Sequence, residues 1–235
     1  MESEGVFSMN ISLLVSNFGK ADLFEKSLTT ILPQLQQGDE ICVADDSLQN
    51  DGMLDLLKSL NIPFKYKFLN NQGYRSGCYA KNVALKMASN PLIIINDPEV
   101  VHLTPCIEQI KERIADNPRT FIVPGSMYFE VSPGSERLDF IEHSQAPFIG
   151  GVLKDELFAI GGWDERFKFW GNDDNDLMWR LGLNGCKHVV FDDMKALHQW
   201  HPRPPQEAIQ DANEPLLYEK AKSIVANVGK EWGRA

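Results

Sequence analysis

The stretch PLIIINDPEVVHL, residues 91–103, indicates the fold class, because a solid apolar run ends abruptly in two carboxylates. An uninterrupted apolar run of this length is typical of a central strand buried on both faces. Asp97 and Glu99 follow the run, with Pro98 between them. Two such carboxylates repel each other unless a cation offsets their charge, although an Asp at this place can also be an ordinary turn residue. Since oxygen ligands suit Mg²⁺ or Mn²⁺ completed by substrate phosphates, the stretch predicts a metal site that carries a diphosphate.

On both sides of this strand, short apolar runs alternate with helix-like segments. ISLLVS, EICVAD, FKYKFL, FIV and HVVF have strand patterns, while residues 21–36, 53–60, 76–88, 105–115, 157–160 and 173–183 have helical ones. This alternation predicts βαβ units, and hence an α/β fold with a single Rossmann-like, mostly parallel sheet flanked by helices. Gly, Pro and Ser break residues 124–151, so we expect loops or a small hairpin there.

Polar clusters follow three of the predicted strands. Ser16 and Asn17 follow the first, Asp45 and Asp46 the second, and residues 96–99 the strand already described. In a doubly wound sheet, ligands bind beyond the carboxyl ends of the strands. The three clusters are therefore expected to face one crevice, although Asn and Asp also cap helices and form turns.

A further acidic cluster lies in FWGNDDNDLMWRLGLNG, residues 169–185. Leu177 and Leu181 share one helical face, so a helix is predicted to begin near residue 172 or 173 with Asp173, Asp174 and Asp176 in its first turn. The helix dipole favours carboxylates there, so simple helix capping is the alternative interpretation. A carboxylate that stays ionised at neutral pH could also serve as a general base for a hydroxyl group.

The segment ALHQWHPRPP, residues 196–205, places His198 and His201 three residues apart beside Trp200. A lone histidine is more often a surface or core residue than a ligand. In a chain that already offers carboxylates for a divalent ion, the pair predicts at least one imidazole ligand.

Composition excludes several classes of function. The 235-residue chain carries a formal charge of −10, which argues against broad binding to nucleic acid backbone or anionic lipid. Neither end resembles a targeting segment and no run approaches a membrane span in length, so we expect a cytoplasmic location.

The cysteines lack CxxC pairing and are interpreted as reduced thiols. They are Cys42, Cys78, Cys106 and Cys186.

Taken together, the motifs resemble the family 2 type of nucleotide-sugar glycosyltransferases with the GT-A fold. The matching pieces, in order, are ISLLVSNFGK, ICVADDSLQND, NNQGYRSGCYAKNVALKMAS, IINDPEVV, GGVLKDELFAIGGWDERFKFWGNDDNDLMWRL and HQWHPRPP. The later pieces are similar to galactosyltransferases and chondroitin-type polymerases. The resemblance implies one domain over residues 1–235. Residues of about 10–123 would form its nucleotide-binding half, about 124–201 its acceptor and catalytic half, and 202–235 a tail.

The resemblance also implies roles for individual residues. The donor nucleotide-sugar, with UDP favoured, would be bound by seven of them: Ser16, Asn17, Asp45, Asp46, Lys81, Asn82 and Asp97. Mn²⁺ or Mg²⁺ would be held by Asp97, Glu99 and one or both of His198 and His201. Asp174 would be the catalytic base, with Asp173 and Trp170 binding the acceptor.

The implied activity is a metal-dependent, inverting transfer of a hexosyl group to an acceptor hydroxyl of a saccharide, glycoside or protein. A retaining transfer stays open, although related retaining enzymes tend to have Glu-Asn where this chain has Asp173-Asp174. A noncatalytic nucleotide-sugar binding protein is the alternative from another class. A nucleotidyltransferase or phosphatase is disfavoured, because the sequence has no GxxxxGK phosphate loop.

Overall fold

The computed structural model describes residues 9–70, 77–142, 148–169, 171–202, 207–219 and 223–234. The strands are β1 (Ile11–Asn17), β2 (Glu40–Asp45), β3 (Phe64–Phe68), β4 (Leu92–Asn96), β5 (Val100–His102), β6 (Thr120–Glu130), β7 (Leu138–Glu142), β8 (Ile149–Leu153) and β9 (Lys187–His198). The helices are α1 (Ala21–Ile31), α2 (Met53–Ser59), α3 (Gly77–Met87), α4 (Cys106–Asp116), α5 (Lys154–Ala159), α6 (Asp173–Leu183) and α7 (Glu207–Glu219).

The strands form one sheet in the order β3-β2-β1-β4-β8-β6-β9-β5, with β7 paired to β6. Strands β1 to β4 are mutually parallel, as the alternating pattern predicts. Beyond β4 the sheet continues with the antiparallel strand β8, and β6 pairs in parallel with β9. The α/β class with a Rossmann-like parallel sheet is confirmed.

Hydrophobic layers cover both faces of the sheet. Leu13 of β1 belongs to the layer that contains α1, α2 and α4, whereas Leu14 belongs to the layer that contains α3, α5 and α6. Successive strand residues point to opposite faces, so a strand buried on both sides must be apolar throughout. The cysteines are free and buried. Among the described residues, no helix combines the length and apolar character that crossing a bilayer requires.

The first helix ends earlier than expected. It was predicted over residues 21–36, but α1 ends at Ile31 and a 3-10 turn follows over Leu32–Gln34. Pro33 explains the difference, because it lacks the N–H that would continue the α-helical hydrogen bonds.

Strands β6 and β9 are longer than the predicted FIV and HVVF, because they pair in parallel from Thr120↔Lys187 to Phe129↔His198. The register shifts between Pro124 and Ser126. Gly125 permits the close approach at this shift, since a Cβ there would lie 2.7 Å from the Cα of Asp192.

The region of residues 124–151 contains more regular structure than we expected. The hairpin is present as β6 and β7, but β8 also enters the sheet next to β4. Its sequence IGGVL has no strand pattern, yet glycine is required where the sheet meets α4: a Cβ on Gly151 would lie 2.1 Å from Cγ2 of Ile110. The tail contains α7, which its polar, proline-containing sequence did not predict.

Candidate active site

A cavity of about 300 Å³ lies beyond the carboxyl end of β4. Seven of the predicted site residues line it: Lys81, Asp97, Glu99, Asp173, Asp174, His198 and His201. Of the three strand-end clusters expected in one crevice, only the one after β4 contributes to this lining. The seven residues come from α3, from the segment after β4, from the first turn of α6 and from the end of β9. Only the tertiary fold brings the last two elements to β4.

Glu99, His198 and His201 form a compact group of possible metal ligands. One side-chain atom from each lies within 4.8 Å of the others. His198 reaches Glu99 because β5 and β9 pair with Val100 opposite His198. Gln199 strengthens this link, since its backbone N–H donates to the Glu99 carbonyl at 3.0 Å. The β9 extension that the sequence did not predict therefore places the imidazole at the site.

The orientation of both imidazoles suits metal binding. Nδ1 of His198 lies 2.9 Å from the Gln199 carbonyl, and Nδ1 of His201 lies 3.0 Å from the Pro202 carbonyl. A carbonyl only accepts, so each Nδ1 carries a proton, which leaves Nε2 as the ring atom that can bind a metal. Both Nε2 atoms face Oε1 of Glu99, at 3.4 and 3.1 Å. The three possible ligand atoms lie close together, which suits a cation between them.

Aromatic packing holds the first of these rings. Phe129 stacks on His198 with ring centroids 5.2 Å apart, and Phe148 meets the same ring edge-on at 5.2 Å. Such packing limits the rotamers of a ligand side chain and so pre-forms the site.

Glu99 is buried, and its Oε2 has no hydrogen-bond partner in the described part of the chain. Burial alone raises the pKa of this carboxyl. Its contacts with His198 and His201 and the charge of Lys20 outweigh burial, so the pKa lies well below its ordinary value. An ionised, incompletely paired carboxylate beside two imidazoles fits a divalent cation. Asp97 lines the same cavity but is not part of this ligand group.

Lys20 is a site residue that the sequence analysis missed. Its Nζ donates to Oε1 of Glu99 and lies 3.3 Å from Nε2 of His201. The residue ends the ISLLVSNFGK motif, directly after Gly19 in the turn between β1 and α1. This position at the carboxyl end of a central strand was the one signal that could have identified it.

The second chemical group of the cavity joins α3 to α6. Nζ of Lys81 lies 2.9 Å from Oδ1 of Asp174 and 3.2 Å from Oδ2 of Asp173. Helix α6 begins at Asp173, as predicted, after Asn172 in a left-handed conformation with φ 65°. The two acids thus occupy the first turn, where the dipole favours negative charge.

The protonation state of Asp174 corrects one expectation. We expected this carboxylate to be fully ionised at neutral pH. Burial raises its pKa to about 7, and the charge of Asp173 adds to this, while Lys81 acts in the opposite direction. Near pH 7 both protonation states of this carboxyl are therefore populated, which suits a general acid or base.

Asp176, the third acid of the cluster, has a structural contact. Its Oδ2 accepts from Nε of Arg180 at 2.8 Å, and both side chains are buried. Nη1 of Arg180 donates in turn to the carbonyls of Ile160 and Gly162. The pair fastens α6 to the loop after α5.

Four of the predicted nucleotide-binding residues lie buried at the ends of β1 and β2, where hydrogen bonds join Asn17, Asp45 and Asp46. Nδ2 of Asn17 donates to Oδ1 of Asp45 at 3.0 Å and to Oδ2 of Asp51 at 2.8 Å. The backbone N–H of Asp46 donates to the carbonyl of Asn17 at 2.9 Å, and Oγ of Ser16 has no partner among the described residues. The structure brings these four predicted residues together, and their nucleotide-binding role stays a prediction.

Asn82, another predicted donor-binding residue, does not line the cavity. Asn82 is buried, its Nδ2 donates to the Trp163 carbonyl at 2.8 Å, and its Oδ1 accepts from the Trp163 N–H at 2.8 Å. Because both ends of the amide hold the GGWDE loop, we correct the expectation that Asn82 faces the donor. Trp170, predicted to bind the acceptor, lies outside the described residues.

Comparison with solved structures identifies the fold. A mannosyltransferase from Pyrobaculum calidifontis, solved with GDP-Man and Mn²⁺, aligns with a TM-score of 0.68 at 14% identity, over 93% of this chain and 66% of that one. GalNAc-T7, solved with UDP, GalNAc and Mn²⁺, aligns with a TM-score of 0.69 at 11% identity, over 84% of this chain and 45% of that one. These likenesses confirm the predicted GT-A fold.

Among curated proteins, the chain is similar to the chondroitin synthase of Pasteurella multocida (strain Pm70), with 22% identity over 93% of this chain. The chain spans only 28% of that relative's length. Residues 12–170 match the family described as glycosyl transferase family 2, which is more than half of the chain. The predicted resemblance is confirmed, and the chain belongs to glycosyl transferase family 2.

Proposed function

We propose that this chain transfers a hexosyl group from a nucleotide-sugar, with UDP favoured as the nucleotide, to an acceptor hydroxyl with inversion at the anomeric carbon. The observation that carries the proposal is the sharing of one cavity by two groups. Glu99, His198 and His201 converge on a cation position, and the Asp173-Asp174 pair lies in the same cavity. A metal-assisted departure and a base-assisted attack need both groups near one substrate.

Binding of the donor depends on the three possible metal ligands. Glu99 and the two histidines would hold the divalent cation, which when bound neutralises charge on the departing nucleoside diphosphate. A mixed carboxylate and imidazole set favours Mn²⁺ over Mg²⁺, since Mg²⁺ prefers oxygen ligands alone. Asp97, in the same cavity, would bind the sugar or ribose. The buried residues at the ends of β1 and β2, which are Ser16, Asn17, Asp45 and Asp46, would bind the nucleotide.

Asp174 would accept the proton of the acceptor hydroxyl during its attack. Its pKa of about 7 places the carboxyl near the optimum for a general base at neutral pH. Lys81 keeps the carboxylate oriented, and Asp173 would hold the acceptor with Trp170. The chain's own residues would thus supply both the base for the acceptor and the ligands of the ion that binds the diphosphate.

The two structural neighbours differ in nucleotide, since one was solved with UDP and the other with GDP-Man. Calorimetric titration with UDP, GDP, dTDP, ADP and CDP, each with and without Mn²⁺, tests the donor site. We expect tight binding of one nucleotide, which is lost without Mn²⁺ and in Glu99→Ala. A folded protein that binds none of them would overturn the proposal.

Catalysis is tested separately from binding. With the nucleotide class known, the wild type and Asp174→Asn are incubated with the corresponding nucleotide-sugars and a panel of saccharide acceptors. Turnover by the wild type alone, with nucleotide affinity equal in both proteins, supports the enzyme over a binding protein. The anomeric coupling in the NMR spectrum of the product distinguishes inversion from retention.

A further inference from the structure

Lys20 contacts the proposed metal ligands, and the proposed function gives it no role. Its side chain is only 11% exposed, and its Nζ donates to the Oε1 atom of Glu99 that both imidazoles face. Nε2 of His201 lies 3.3 Å from the same Nζ. The ammonium group therefore sits among the acceptor atoms that would hold a divalent cation.

An ammonium and a divalent cation cannot share these acceptors. Like charges a few ångströms apart beside buried side chains repel strongly. A divalent cation on Oε2 of Glu99 would still be repelled by Lys20 on Oε1, because the two oxygens belong to the same carboxylate. An ion that also reaches both Nε2 atoms lies on the Oε1 side, where Lys20 is. Cation binding therefore requires Lys20 to leave Glu99.

The backbone of Lys20 is anchored, while its long side chain can change partner. Its N–H donates to Oδ1 of Asn17 at 3.0 Å, and its carbonyl accepts from the N–H of Phe24 at 3.0 Å. Four methylene groups allow the ammonium to move by several ångströms without disturbing these bonds. The side chain lines the same cavity as Asp97 and Asp174, so the displaced ammonium stays beside the substrate.

We propose that Lys20 is a resident counter-ion of the metal site, which the metal displaces onto the diphosphate of the donor. The second half rests on the proposed function, since the nucleotide-sugar supplies that diphosphate. When the diphosphate is bound, the displaced ammonium gains an anionic partner there in place of Glu99. Metal and nucleotide therefore favour each other's binding, beyond their direct contact, through one side chain.

Lys20→Met tests the first half by Mn²⁺ titration without any nucleotide, followed by calorimetry. The variant leaves nothing to displace, so we expect Mn²⁺ to bind at least about fivefold more tightly than to the wild type. Lys65→Met is the matched control, because Lys65 is also paired with a glutamate, Glu40 at 2.9 Å, but on the edge strand β3. Equal or weaker Mn²⁺ binding by Lys20→Met would overturn the proposal, as would a wild type and variant that bind no Mn²⁺.

Nucleotide binding at saturating Mn²⁺ tests whether the displaced Lys20 side chain contacts the diphosphate. For the nucleoside diphosphate that the panel selects, we expect Lys20→Met to bind at least about fivefold more weakly than the wild type, because a charge-assisted contact to phosphate is lost. Unchanged nucleotide affinity would limit Lys20 to the counter-ion role and overturn the transfer to phosphate. If Lys20→Met does not fold, Lys20→Gln removes the charge while keeping a donor, and the same affinities decide. Failure of every nucleotide to bind would overturn the glycosyltransferase proposal alone, since the Mn²⁺ titration is independent of it.

Discussion

Lys81 of α3 donates a 2.9 Å hydrogen bond to Asp174 at the start of α6. This contact joins a helix of the amino-terminal parallel sheet to the acidic turn of the carboxyl-terminal half. It also counteracts the burial that raises the pKa of Asp174 to about 7. The availability of the proposed base therefore depends on a lysine more than ninety residues away in the sequence.

Asp174→Asn should remove turnover and leave the fold intact. Loss of a positioned general base is expected to lower kcat about 10²–10⁴-fold, with nucleotide affinity unchanged. Stability should not fall, because the raised pKa means that the fold already favours the neutral form of this side chain. Steady-state kinetics and urea denaturation measure the two effects.

Asp176→Asn is the matched comparison, since it makes the same change two residues further on. It leaves the buried guanidinium of Arg180 without its carboxylate, so we expect the free energy of unfolding to fall by about 3–5 kcal/mol. The folded fraction should retain its kcat. Loss of turnover without loss of stability in this variant would contradict the structural role of Asp176.

The pH dependence of kcat/KM should report the ionisation of Asp174. A base must be deprotonated to act, so the rate should rise with pH, with a midpoint at about pH 7. Lys81 lowers this pKa, and Lys81→Met should therefore move the midpoint to higher pH. A midpoint that moves to lower pH in the variant, or a flat wild-type profile between about pH 6 and 8, would contradict the assignment.

Both histidines should contribute to metal affinity. Even changes to groups that only support a ligand cost about 10–100-fold in affinity, so His198→Ala and His201→Ala should each weaken Mn²⁺ binding at least about tenfold. His188→Ala, an exposed position on β9, is the control and should bind Mn²⁺ as the wild type does. Competition with Mg²⁺ in the same titration should show a preference for Mn²⁺. Equal affinities for the two ions would indicate that the imidazoles do not ligate.

Asn82→Ala should destabilise the protein without acting on the donor. The substitution leaves the backbone N–H and carbonyl of the buried Trp163 without their amide partner, at a cost of about 1–3 kcal/mol for each group left unsatisfied. Thermal denaturation measures the effect, and the exposed Asn50→Ala is the control. Reduced nucleotide affinity at unchanged stability would restore the donor-facing role that the sequence suggested.

Much of the amino-terminal half could be predicted because its signals are local. The apolar run before Asp97 predicts a buried strand, and Leu177 and Leu181 place the start of α6 at the residue observed. Strand β8 was not predicted, because its glycines break the apolar pattern. Gly151 is needed there for the close contact with Ile110, a residue of a distant segment. The full length of β9 was not predicted either, since its pairing with β6 and β5 extends it to His198.

The sequence by itself determined which residue types could do the chemistry: an acidic strand end, an acidic helix start and two histidines, each with a local pattern. Only the tertiary structure decided which of them meet. It separated Asp174, beside Lys81, from Asp176, beside Arg180. Asn82, predicted to face the donor, is buried in the core, and Lys20 lies beside the proposed metal ligand Glu99. The reason is physical: burial and charge pairing depend on distances between segments far apart along the chain, which local patterns do not encode.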